Sequence, residues 1–266
     1  MQGYLERPGC RLYYEAAGSG PAIVFAHGLG GNHMSWWQQI AHFSPHHTCV
    51  AFAHRGFTPS SPVPGESAPD AYADDLAALI DELKLAEVYL VAQSMGGWTC
   101  LEYALREPGR VKALVLASTS GRVDPRQALG AQAFDEWLKR ATATAEDLER
   151  RGILGAGGER MAREQPALAH LYRHISQLTA ADFKTAVRAR IRALRDQSPA
   201  TLAKLPMPVL FHMGAEDIVY PAAAGPLLAK HAPRGRAIVV PQAGHSVYFE
   251  RAARFNRDLE EFLGGA

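Results

Sequence analysis

The chain has 266 residues, with 28 Lys and Arg against 27 Asp and Glu, a formal net charge of +1, and 47% hydrophobic residues. That length can bury one large core, and so balanced a charge gives no electrostatic basis for binding nucleic acid or an anionic membrane. Its three cysteines, Cys10, Cys49 and Cys100, are odd in number and far apart, which argues against a disulfide framework or a zinc site and predicts a reducing, cytoplasmic setting.

The first residues, Met1 to Pro8, lack a basic stretch followed by an apolar run, so no signal peptide is expected. No apolar stretch approaches the roughly 20 residues that span a bilayer. The first thirty residues read as β-structure. Arg11 to Ala16 alternates polar and apolar, a Gly-Ser-Gly-Pro turn follows at Gly18 to Pro21, and Ala22 to Ala26 is a continuous apolar run. That run ends in His27-Gly28-Leu29-Gly30-Gly31, as a strand buried on both faces of a parallel sheet would. Ser35 to Phe43 has helical spacing, Thr48 to Phe52 is the next strand, and His54-Arg55-Gly56-Phe57 leads into a Pro/Ser-rich loop. Asp70 to Leu83 is an amphipathic helix with Ala73, Leu76, Ala77, Ile80 and Leu83 on one stripe. Val88 to Val91 is a strand, Gly96 to Leu105 a helix and Val111 to Ala117 a strand.

Strand and helix alternate with short connections, which predicts right-handed crossovers and a mostly parallel sheet. The alternation then stops. Between about Arg122 and Lys204 only helical stretches occur, at Gln132 to Thr142, Glu146 to Arg151, Ala167 to Leu178 and Ala181 to Arg195. It resumes with strands at Met207 to His212 and Arg236 to Val240, alternating with helices at Ala222 to Lys230 and Arg251 to Leu263. The expected architecture is an α/β core over residues 1–121 and 205–266, with a mostly parallel sheet of the eight-stranded type flanked by helices. Residues 122–204 form an inserted helical cap. The insertion is richer in basic residues than the core, and Arg188, Arg190, Arg192 and Arg195 cluster on one helix. A solvated helix face explains that cluster, and a lid tuned to anionic substrates is the sharper alternative.

Val88 to Trp98 is the most informative segment. A strand runs into Ser94, small residues stand two positions away on either side (Ala92 and Gly96), and a helix starts at once. This suits a nucleophile elbow, a strained turn that lifts a serine Oγ to the carboxyl edge of the sheet. The helix start aims free N–H groups and a positive dipole end at the place where an oxyanion would form. A serine hydroxyl needs a base. Of the eleven histidines, His46, His47, His170, His174 and His231 fall on turns or helix surfaces, whereas His245 follows the last strand in Gln242-Ala243-Gly244-His245. A base needs a carboxylate to fix its tautomer. Asp217 stands just beyond the strand ending near His212, with Glu216 and Asp124 as fallbacks. The order Ser94, Asp217, His245 is that of one of the three known serine-hydrolase arrangements. Backbone N–H groups of Leu29, in the glycine loop, and Met95 are the expected oxyanion-hole donors. Gly28, Trp36, Trp98 and Tyr220 are expected to line the substrate pocket, alongside Trp37. No His/Asp/Glu cluster has ligand-like spacing, so neither metal nor cofactor is expected.

These pieces, His27 to Gly31, His54 to Phe57, Ala92 to Gly97, Gly214 to Asp217 and Gly244-His245, resemble the α/β-hydrolase fold superfamily, and within it the small serine hydrolases with a helical cap. The likeness covers about residues 10–120 and 205–263. It implies Ser94 as nucleophile, Asp217 as acid, His245 as base, and a cap that shapes an acyl pocket. Ala92 stands where the family commonly has Gly, and Ala53 and Thr58 stand where it often has Asp and Gly. Ser94 separates the chain from the branches with an Asp nucleophile, the haloalkane dehalogenases and epoxide hydrolases. The resemblance implies a hydrolase of carboxylic esters or lactones acting on a small acyl substrate. Alternatives are a C–C bond hydrolase of ring-fission diketones, a cofactor-free perhydrolase, and a non-catalytic binding protein of the same fold. The C–C hydrolases usually have Pro in the oxyanion loop where this chain has Leu29. Oligomeric state stays open, a homo-oligomer included.

Overall fold

The computed structural model describes residues 1–266. One sheet is built from β1 (Gln2–Arg7), β2 (Cys10–Ala17), β3 (Ala22–Ala26), β4 (Thr48–Phe52), β5 (Val88–Gln93), β6 (Val111–Ala117), β7 (Val209–Gly214) and β8 (Gly235–Val240). Across the sheet they lie in the order β1-β2-β4-β3-β5-β6-β7-β8. β1 pairs antiparallel with β2, and β2 antiparallel with β4. Every pair from β4 to β8 is parallel.

Alternation along β3 explains why its five residues are all apolar. Ala22, Val24 and Ala26 face the cluster covered by α2 (Tyr72–Glu82), α3 (Gly96–Arg106) and α9 (Ala224–Ala229). Ile23 and Phe25 face the other side, covered by α1 (Trp37–Phe43), α10 (Val247–Glu250) and α11 (Ala252–Gly264). Both faces are dry, so a polar residue has no place in the strand. β3, β4 and β6 coincide with the runs expected from the sequence, and β1 adds an edge strand on the antiparallel side.

Between β6 and β7 the chain makes no sheet strand. It forms α4 (Pro125–Leu129), α5 (Ala131–Arg150), α6 (Gly158–Glu164), α7 (Pro166–Gln177) and α8 (Ala181–Ala193). The outgoing and returning segments run side by side: Val123 bridges Gln197, and the Asp124 N–H donates to the Gln197 carbonyl at 2.9 Å. Arg122 and Asp196 add an ion pair at 2.8 Å. α5 is one helix where two were expected. The helix continues through Thr-Ala-Thr, where the Thr144 hydroxyl finds its acceptor one turn back in the Arg140 carbonyl at 3.1 Å. α4 and α6 are short and carried no periodic signal. No helix is long and apolar enough to cross a membrane.

Candidate active site

The parallel strands all end at one edge, and the loops that leave β3, β5, β7 and β8 there carry Leu29, Ser94, Asp217 and His245 in turn. Ser94 lies between the end of β5 and the start of α3 with a φ of 49°, the left-handed region that side chains rarely adopt. Such strain is held only where the surroundings leave no alternative. Here the turn is pinned by the Ser94 N–H donating to the Ala117 carbonyl of β6 at 3.0 Å and by tight packing around it. A side chain on Gly96 would run into the Ala26 carbonyl, and one on Gly28 would come within 3.0 Å of the Ser94 Cβ. Ala92, fully buried in β5, has a methyl where the family commonly has none, and the turn still forms.

His245 and Asp217 meet directly. The His245 Nδ1–H donates to Asp217 Oδ2 at 2.8 Å, with both side chains almost wholly buried. The other oxygen, Oδ1, accepts from the Val219 N–H at 2.7 Å and the Tyr220 N–H at 2.9 Å. Three donors thus fix one carboxylate, which keeps the imidazole in the tautomer with a free Nε2. The fallback carboxylates are committed elsewhere. Asp124 caps α4 by accepting from the Arg126 N–H, and Glu216 is held by both arms of Arg160 at 2.8 and 2.6 Å. Ser94 leaves β5 at the same edge of the sheet. Its neighbour Gln93 packs its side-chain oxygen under Gly28 and donates from Nε2 to the His245 carbonyl at 3.4 Å. The Ser94 hydroxyl itself makes no hydrogen bond in this structure.

The N–H groups of Leu29 and Met95 have no backbone acceptor. Their loops are braced from behind by His27 and His54, which the sequence placed in matching motifs without a role of their own. His27 Nδ1–H donates to the Gly28 carbonyl at 2.8 Å, its Nε2 accepts from the His54 N–H at 3.0 Å, and His54 Nε2 lies 2.8 Å from the Thr99 hydroxyl. Burial drives His27 down to about 3, and His54 well below its ordinary range, so both rings are neutral. The position of His27 immediately before the glycine loop was the available signal. Arg55 does without an Asp at position 53, because Asp75 of α2 takes it bidentately at 2.6 Å. Thr58 ties this region to the helical insertion, its hydroxyl donating to the Leu178 carbonyl at 2.7 Å.

The expected pocket residues divide. Gly28 lies against Ser94. Trp98, on the first turn of α3, faces the insertion in a cluster with Phe57, Met95, Val187 and Ile191. Trp36 does not line a pocket. It is fully buried beneath the sheet, its ring 5.1 Å from Phe25 and 4.3 Å from Tyr248, because the helical turn that carries it packs inward on α10 and α11. Trp37, next in sequence, points to solvent instead. The Tyr220 ring is likewise buried in the core under α9, and its contribution to the site is the backbone N–H on Asp217. Behind the His245 loop lies a pocket of about 160 Å³ whose walls include Arg160, Glu216, Gly244 and Glu250 but not Ser94. Glu250 Oε1 accepts from the Gly244 N–H at 2.5 Å. Its other oxygen is buried without a donor, and burial pushes this carboxyl up to about 7.

The chain is 28% identical over 254 residues to a protein of Agrobacterium fabrum provisionally named carbamate hydrolase RutD, covering 91% of this chain and 93% of the relative. It is 28% identical over 244 residues to 3-oxoadipate enol-lactonase 2 of Acinetobacter baylyi, covering 91% and 88%. Among solved structures, Est816, described as an N-acyl homoserine lactone degrading enzyme, superposes with a TM-score of 0.78 at 25% identity, covering 98% of this chain and all of that one. A family model for the alpha/beta hydrolase fold matches residues 21–252. That span takes in the whole parallel part of the sheet and every residue of the constellation above, so the chain belongs to the alpha/beta hydrolase fold family and is a hydrolase.

Proposed function

We propose that the protein is a serine hydrolase that cleaves a carboxylic ester or lactone through an acyl-enzyme, with Ser94, His245 and Asp217 as its triad. The observation that carries this reading is the buried 2.8 Å bond between His245 and Asp217, which leaves the imidazole Nε2 as a base at the edge where Ser94 is presented. On substrate binding, Nε2 takes the Ser94 proton as Oγ attacks the carbonyl carbon. Serine-to-base bonds of this kind are often open in the resting enzyme and close in the complex. The oxyanion is received by the N–H groups of Leu29 and Met95, each donor contributing about 2.7–4 kcal/mol to the transition state. His245 then passes its proton to the leaving alkoxide, and the bond between the carbonyl carbon and that oxygen breaks. Water, deprotonated by His245, attacks the acyl-serine and releases the acid. Asp217 stays ionised throughout and stabilises the imidazolium. The helical segment over Trp98 acts as the cap that selects the acyl group.

The enol-lactonase and Est816 names support a lactone or ester substrate by similarity. The test is covalent labelling by a fluorophosphonate together with turnover of p-nitrophenyl butyrate. Labelling is expected in the wild type and absent in Ser94→Ala, and turnover is expected to be lost in His245→Ala. Labelling that persists without the serine overturns the nucleophile assignment. A ring-fission dienoate turned over faster than p-nitrophenyl butyrate replaces ester cleavage with C–C cleavage.

A further inference from the structure

Nearly every arginine of this protein that is not exposed holds a carboxylate or a carbonyl. The other arginines without such a partner lie open to solvent, and Arg195 is the exception. It forms no ion pair and no hydrogen bond, and its Nε–H is buried without an acceptor. The residue is half-buried, and a guanidinium held there with no carboxylate keeps donors free for an anion.

The guanidinium lies over the indole of Trp98, its carbon 5.1 Å from the ring centroid. The Trp98 Nε1–H is also buried and also lacks an acceptor. The stacked pair therefore brings together two orphaned donors, one of them charged. Their place in the fold is specific. Trp98 follows Ser94 by four residues and packs with Met95, while Leu29 lies against the same cluster. On its other side the Arg195 charge acts on Tyr220, three residues beyond Asp217. Arg195 is thus set between the helix that carries the nucleophile and the loop that carries the acid. The carboxylate whose charge acts on it is Asp124, which caps α4 by accepting from the Arg126 N–H.

We propose that Arg195 and Trp98 form a carboxylate subsite, so that the substrate is an ester or lactone carrying a carboxylate apart from its scissile bond. A planar carboxylate has two acceptor oxygens and takes charge-assisted bonds from a guanidinium. This assignment rests on Ser94 being the nucleophile, and the experiment separates the two.

Mono-p-nitrophenyl glutarate and p-nitrophenyl butyrate have acyl chains of similar length and differ in the distal carboxylate. The wild type is expected to favour the glutarate half-ester in kcat/KM by at least about tenfold, the size of one charge-assisted interaction. That ratio is expected to fall to near one in Arg195→Met, chiefly through KM, and to stay intermediate in Arg195→Lys. A ratio unchanged by Arg195→Met overturns the subsite, as does a wild type with no preference. Binding is read apart from turnover by titrating the Ser94→Ala protein with glutarate and following indole fluorescence. Saturable quenching that disappears in the Ser94→Ala, Arg195→Met double variant supports the subsite. Absence of saturable binding to Ser94→Ala overturns it, even if Arg195→Met does not fold. Failure of fluorophosphonate labelling in the wild type removes the nucleophile assignment and leaves the glutarate titration as the test of the subsite alone.

Discussion

Asp217 divides its two oxygens between the backbone and an imidazole. Oδ1 serves the Val219 and Tyr220 amides and Oδ2 serves His245, so Asp217→Asn can keep the first set while presenting an NH₂ group to the imidazole. The ring must then turn to the wrong tautomer. We expect kcat on p-nitrophenyl butyrate to fall by roughly 10⁴, with little change in thermal midpoint; a near-wild-type rate would move the acid role to another carboxylate. Glu250 carries a different expectation. Its carboxyl has an ordinary value of 4.5 and is pushed up to about 7 in the folded chain by burial, against the pull of the Gly244 N–H. Between those values the folded state retains a proton that the unfolded state has released, so this group's contribution to stability declines as pH rises and is lost above about 7. Glu250→Gln removes that dependence. Its urea-derived stability relative to wild type is expected to improve by up to about 3 kcal/mol between about pH 5 and pH 8; a pH-independent difference would contradict the burial argument. Ser94, His245 and Asp217 were legible as positions just beyond strand ends, because each closes an apolar run beside glycine or another small residue. His27, His54, Gln93 and Glu250 were not, since their roles depend on partners up to 152 residues away.

At the scale of elements, β3 was read correctly because a strand buried on both faces admits only apolar residues, and that shows in five consecutive letters. Trp36 was misjudged for the converse reason: an aromatic near a functional loop has the same letter whether its ring turns inward or outward. Its true setting predicts what its loss does. Trp36→Ala removes a ring packed on Phe25 and Tyr248 and is expected to cost about 3–5 kcal/mol of stability, read from urea denaturation. KM for the protein that remains folded should hold; a raised KM with unchanged stability would return this residue to the pocket. α5 was divided in two because Thr has low helix propensity, a weak local preference that the burial of Ala141 and Leu148 on either side of the threonines overrides.

On the scale of the whole molecule, the helical insertion is fastened to the core by buried packing of Met161, Tyr172 and Ile175 and, around it, by exposed ion pairs. Arg160 holds Glu216 beside Asp217, and Glu164 of α6 holds Arg251. Exposed pairs contribute little each and are screened by salt. Arg160→Ala is therefore expected to lower stability by less than about 1 kcal/mol, with the difference shrinking in high salt, as measured by thermal unfolding. A loss of several kcal/mol would mean that the pair fixes the acid loop itself. The mostly parallel sheet followed from alternation and short connections, whereas the arrangement of the five inserted helices did not, because amphipathic stripes state which face is covered and not by what.

The paired segments around Val123 and Gln197 give the insertion one doorway into the core, a few residues wide and bonded across its width. What lies between those posts can be traded for another helical piece of different size, provided the posts stay the same distance apart and the new piece covers the core face that Met161, Tyr172 and Ile175 now fill. A lineage could thus keep its chemistry and change its diet by exchanging a single contiguous stretch of gene, and a chimera spliced at those two positions would be the laboratory version of the same event.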